Sequence, residues 1–131
     1  MGRMNALWNC RNPYQGKYKR VLTVCSAGLL RSPTIAWYLN RHTDYNCRAV
    51  GIYDYALVQI DDVLVEWADY VICTEKEIYD HVLSKFSEQF DGDRLIFNLD
   101  IPDNFMYRDD ELVKIVAQKL ELAGLLENND E

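Results

Sequence analysis

Short apolar runs and longer segments of helical period alternate along this chain. Arg20 to Val24 is short, apolar and β-branched, the pattern of a buried strand. From Pro33 onward Ile35, Ala36 and Leu39 recur at helical spacing, with Ser32 placed as N-cap and Pro33 at the first helical position. Cys47 to Ile52 predicts a second strand, "IDDVLVEWA" a short helix and "DYVIC" a third strand. "TEKEIYDHVLSKF" opens with Thr74 and Glu77 at capping-box spacing and keeps Ile78, Val82 and Phe86 on one face. "RLIFNL" predicts a fourth strand, and "DDELVKIVAQKLELAGLL" an amphipathic closing helix. Strands and helices in alternation predict an α/β domain, a parallel sheet with helices on both faces, over residues 20–131. Residues 1–19 show no clear periodicity and read as an N-terminal extension packed down through Trp8 and Tyr14. The "ENNDE" end reads as a solvated tail.

In such a sheet, ligands bind beyond the carboxyl ends of the strands. The loop after the first strand, "CSAGLLR", lies there, and so does "DIPDNFMYRDD" after the fourth. Cys25 and the Asp100–Asp103 segment are therefore expected on one rim. Five residues separate Cys25 from Arg31, enough for Ser26, Ala27, Gly28, Leu29 and Leu30 to curl their N–H groups around a tetrahedral oxyanion. Gly28 permits the positive φ such a curl often needs. The following helix dipole adds to the field, and the planar fork of Arg31 suits two phosphoryl oxygens. The same field favours a thiolate at Cys25, and Ser32 is placed to donate to that sulfur. A nucleophile inside an anion nest is the constellation for covalent phosphoryl transfer. The leaving oxygen then needs an acid, and Asp100 and Asp103 are the candidates; Asp109 and Asp110 fit helix capping better.

Composition narrows the partners. The 131 residues carry a net charge of −7, which argues against nucleic acid, whereas no Asp or Glu precedes Asp44, so the Cys25–Arg31 loop is locally basic. No apolar run approaches a membrane span, no signal-peptide core is present, and Ala6 stands where a myristoylation motif requires Ser or Thr. Cys10, Cys25, Cys47 and Cys73 show no CxxC spacing and no nearby His pair, so no metal is expected. A reduced, cytoplasmic protein without cofactor is the simplest expectation.

At this point "VCSAGLLRSPT", "WADYVICTEKE" and "IPDNFMY" together resemble the low-molecular-weight protein tyrosine phosphatases, in particular their short bacterial and phage-type members. The likeness runs from about Arg20 to about Leu126. "CSAG" is also similar to the larger tyrosine phosphatases, but those carry their acid before the cysteine, where this chain has none. The resemblance implies a four-stranded sheet in flavodoxin-like order 2-1-3-4. It implies hydrolysis of phosphotyrosine, or of a small aryl phosphate, with Cys25 as nucleophile, Arg31 as phosphate-binding arginine and Ser32 as thiolate-stabilising serine. It favours Asp103 over Asp100 as the acid, with Asn104 in place of the family's proline and Phe105 as the aromatic.

Three departures stand out: Gly28 where many members carry Asn, Leu30 where many carry a second cysteine, and a short segment between the second and third strands. Tyr53, Phe105 and Tyr107 are candidates for an aromatic pocket wall. Two other readings stay open: arsenate reduction, with Cys73 as resolving thiol, or a phosphopeptide-binding module that has lost efficient hydrolysis. Trp37 and Trp67 read as core, Cys47 and Cys73 as buried and inert, and His42 and His81 as bland; nothing assigns Cys10 a task.

Overall fold

A computed structural model describes residues 19–26, 31–53, 56, 58–90, 95–101 and 108–126. The extension read over residues 1–19 lies outside the described residues except for Lys19, and so does the acidic tail. The elements run β1 (Arg20–Cys25), α1 (Arg31–His42), β2 (Asn46–Gly51), α2 (Asp62–Trp67), β3 (Tyr70–Cys73), α3 (Lys76–Lys85), a 3-10 turn (Ser87–Phe90), β4 (Leu95–Asn98) and α4 (Asp110–Leu122). All four strands are parallel, in the order β2-β1-β3-β4, as expected. β1 occupies the interior with Cys25 opposite Gly51 of β2, and Val24 opposite Cys73 of β3.

Alternation along the strands builds two cores. Val21 and Ile72 join Ile35, Leu39, Leu112 and Val116 beneath α1 and α4. Leu22, Val24, Val71 and Cys73 join Val65, Ile78 and Val82 beneath α2 and α3. Each fully buried aliphatic side chain contributes about 1.5–3 kcal/mol, and here that burial, on both sheet faces, fixes the register and holds the strand ends level. The closing helix ends as its sequence dictates: Gly124 takes a φ of 76°, its N–H donates to Glu121 O, and Leu125 N–H donates to Leu120 O. Tyr45 Oη then donates to Leu125 O (2.9 Å) and ties this end to the first core.

Two helix starts differ from expectation. α1 begins at Arg31, so Ser32 is not its N-cap but a buried first-turn residue whose hydroxyl faces other partners. Pro33 fits there all the same, because first-turn N–H groups have no intrahelical acceptor. The Thr74–Glu77 capping box does not form: α3 starts at Lys76 after Glu75, whose side chain makes no capping bond. Thr74 is instead absorbed by the sheet rim. Its N–H donates to Val24 O (3.1 Å), and its carbonyl accepts from Ile101 N (2.6 Å). Asp109 does cap α4, accepting from Glu111 N (2.9 Å).

Trp67 is half-buried and packs against the α2–α3 core, as read, whereas Trp37 is half-buried and departs from the core reading. Arg108 lies 4.0 Å and Arg41 5.7 Å from the Trp37 ring, and Arg48 stacks 4.7 Å from Trp67. Each ring thus has a guanidinium partner, which for Trp67 adds to its core contact. His42 is the last residue of α1, with its ring 4.2 Å from that of Tyr38.

Candidate active site

Cys25 ends β1 and is buried, its residue only 3% exposed. Its Sγ lies 3.2 Å from Ser32 Oγ, which is also 3.2 Å from Val50 O. A serine hydroxyl has one proton, so it can donate to only one of these at a time. With a neutral thiol the chain reads S–H to Oγ, then O–H to the Val50 carbonyl. With a thiolate the hydroxyl turns and donates to sulfur. Ser32 is thus arranged to serve either state of Cys25. The helix start is pinned beneath it, because Thr23 Oγ1 donates to Ser32 O at 2.8 Å.

Arg31 opens α1 and is 1% exposed. Its NH1 donates to Ile101 O (3.0 Å) and lies 3.2 Å from Glu75 Oε1. A buried guanidinium needs such partners, since an uncompensated buried charge costs several kcal/mol. Two acceptors on one nitrogen also fix the plane of the fork. Ser26 is held too: its carbonyl accepts from Ile52 N (2.9 Å) and Tyr53 N (3.1 Å), while Cys25 O accepts from Ile52 N (3.0 Å). Tyr53 is therefore fastened by its backbone to the residue after the cysteine, with its side chain 42% exposed.

The structure thus brings Cys25 to Ser32 and Ser26 to Tyr53, and sets the Arg31 guanidinium against Ile101 O and Glu75. Ala27, Gly28, Leu29 and Leu30, the acid candidate Asp103, and the wall candidates Phe105 and Tyr107 lie outside the described residues. Asp100 is exposed with φ 58°, and its N–H donates to Asn98 Oδ1 (3.1 Å), the behaviour of a turn aspartate. Both ends of the segment carrying Asp103 are tied to α1. Ile101 O takes the Arg31 hydrogen bond, and Arg108 N–H donates to Thr34 Oγ1 (2.9 Å).

Sequence reading missed Glu75, Thr74 and the Ile101 carbonyl. A usable signal for Glu75 was its place just after the third strand, on the rim where Arg31 lies. Cys73, which the arsenate reading required beside Cys25, belongs to the α2–α3 core on the opposite sheet face. Burial pushes its thiol up to about 12, away from thiolate chemistry. Among the described residues no group of three or more His, Cys, Asp or Glu could hold a metal ion, and no helix is long and apolar enough to cross a membrane.

The fold has counterparts among solved structures. The fold is that of the small cysteine phosphatases known as low-molecular-weight protein tyrosine phosphatases. SP-PTP, the low-molecular-weight protein tyrosine phosphatase of Streptococcus pyogenes, is 16% identical with a TM-score of 0.64, over 85% of this chain and 99% of that one. The YwlE arginine phosphatase of Geobacillus stearothermophilus is 18% identical with a TM-score of 0.58, over 86% and 99%. The tyrosine phosphatase Wzb of Escherichia coli K30, solved in complex with phosphate, is 17% identical with a TM-score of 0.56, over 81% and 93%. No family model matches the sequence, and no curated protein matches it.

Proposed function

We propose that this protein is a cysteine-dependent phosphatase that hydrolyses phosphotyrosine, or a similar aryl phosphate monoester, through a phosphocysteine intermediate. The observation that carries the reading is the buried Cys25 Sγ, 3.2 Å from the Ser32 hydroxyl, at the head of a helix whose first residue is the buried Arg31.

In the first step the Cys25 sulfur, as thiolate, attacks phosphorus while the P–O ester bond breaks. The leaving oxygen takes the proton of the Asp103 carboxyl group. Arg31 and the main-chain N–H groups of residues 26–31 balance the charge on the phosphoryl oxygens. In the second step water attacks the phosphorus of phosphocysteine and gives its proton to the Asp103 carboxylate. The P–S bond breaks, phosphate leaves, and Ser32 donates to the returning thiolate. Tyr53 offers an aromatic edge to the ester ring. Fold neighbours include phosphatases named for tyrosine and for arginine, so phosphoarginine belongs beside phosphotyrosine in the substrate panel.

Turnover of a nitrophenyl phosphate by variants tests this directly. Cys25→Ser is expected to abolish turnover. Asp103→Asn is expected to lower kcat about 10²–10⁴-fold, and Asp100→Asn to leave it within a few-fold. Unchanged turnover in Cys25→Ser would overturn the reading.

A further inference from the structure

Thr74, the first residue beyond β3, is fully buried, and among the described residues its Oγ1 has no hydrogen-bond partner. Its main chain is committed on both sides, to Val24 O and to Ile101 N. A β-branched side chain on a backbone held in this way has little rotational freedom. The β1–β3 register ends with Val24 opposite Cys73, and Thr74 follows directly, bonded through its N–H to the carbonyl of Val24, the residue before Cys25. Cys73 faces the α2–α3 core, and Thr74 follows it where β3 ends, its carbonyl turned to Ile101 N on the other side. The next residue, Glu75, contacts Arg31.

A buried hydroxyl without a partner destabilises the fold, whereas valine would fill the same space with no polar atom to satisfy. Helix capping does not explain the hydroxyl, because α3 begins later and without it. We propose that Thr74 is an oxyanion ligand: its hydroxyl donates to a non-bridging oxygen of the phosphoryl group held at Cys25, and equally to the phosphate product. This proposal rests on the oxyanion-site reading of the Cys25–Arg31 loop. It adds a neutral donor from β3 to the charged one from α1.

Calorimetric titration of inorganic phosphate into the wild type, Thr74→Val and Thr74→Ser, with melting curves recorded without phosphate, tests it. Thr74→Val is expected to bind phosphate about tenfold more weakly, yet to melt at or above the wild-type temperature. Thr74→Ser, which keeps the hydroxyl, is expected to bind within a few-fold of wild type. Wild-type phosphate affinity in Thr74→Val would overturn the proposal. So would a destabilised or unfolded Thr74→Val, which would mark the hydroxyl as a structural group. A wild type that binds no phosphate would instead remove the oxyanion-site reading itself, and the Thr74 proposal with it.

Discussion

Cys25 and Cys73 end neighbouring parallel strands and face opposite ways, so the two thiols meet different surroundings. Cys25 meets the hydroxyl of Ser32 beside the helix that opens with Arg31, whereas Cys73 is enclosed by Val24, Val71, Ile78 and other apolar side chains. Burial raises the Cys73 thiol from 9.0 to about 12, because the core disfavours the anion. The protonated form is thus preferred on folding. Its contribution to stability is complete below the unfolded thiol's pKa and is lost as pH rises towards the folded value. Chemical denaturation is expected to show the wild type losing about 1 kcal/mol more than Cys73→Ala between pH 9 and 10. Parallel pH profiles for the two proteins would contradict the assignment. At this scale Cys25, Arg31 and Ser32 were legible in sequence, since a strand, a turn-forming loop and Ser-Pro surround them. The contacts of Thr74 with Val24 and of Glu75 with Arg31 were not, because they depend on which strand lies beside β1, and no local pattern encodes that.

Element boundaries were legible where the local signals agree. Asp109 begins α4 by a side-chain bond two residues long, whereas the helix read through Leu126 ends at Leu122 because Gly124 takes a left-handed φ. The starts of α1 and α3 were misread because tertiary partners claimed the capping side chain or the backbone: Cys25 and Val50 took the Ser32 hydroxyl, and the sheet rim took Thr74. The first turn of α1 also holds the two residues, Ile101 and Arg108, that flank positions 102–107. Arg31 and Thr34 lie one turn apart and bind Ile101 O and Arg108 N–H, which flank that segment. Arg108 adopts a left-handed φ of 59° and lays its guanidinium 4.0 Å from the Trp37 ring, a second anchor at the same end. Thr34→Val removes the acceptor while keeping the shape. It is expected to lower kcat several-fold for esters with poor leaving groups, which need the acid, and to affect nitrophenyl phosphate less. An equal loss for both ester types would assign Thr34 a purely structural role.

For the molecule as a whole, the order β2-β1-β3-β4 puts the end of β1 at the point where the connections diverge, the usual ligand position in such sheets. Alternating strands and helices in the sequence predict the parallel sheet, but they leave strand order open; the order came from the resemblance carried by "VCSAGLLRSPT" and "IPDNFMY". An acidic protein with no carboxylate before Asp44 keeps its early segment suited to an anion. The central claim is that phosphate passes through a covalent bond to one sulfur. Mass analysis of protein quenched during aryl phosphate turnover tests it most directly. The account predicts one phosphoryl group, confined to the peptide containing Cys25 and absent from Cys25→Ser. A phosphoryl group on any other residue, or continued turnover by protein whose Cys25 has been alkylated, would contradict it.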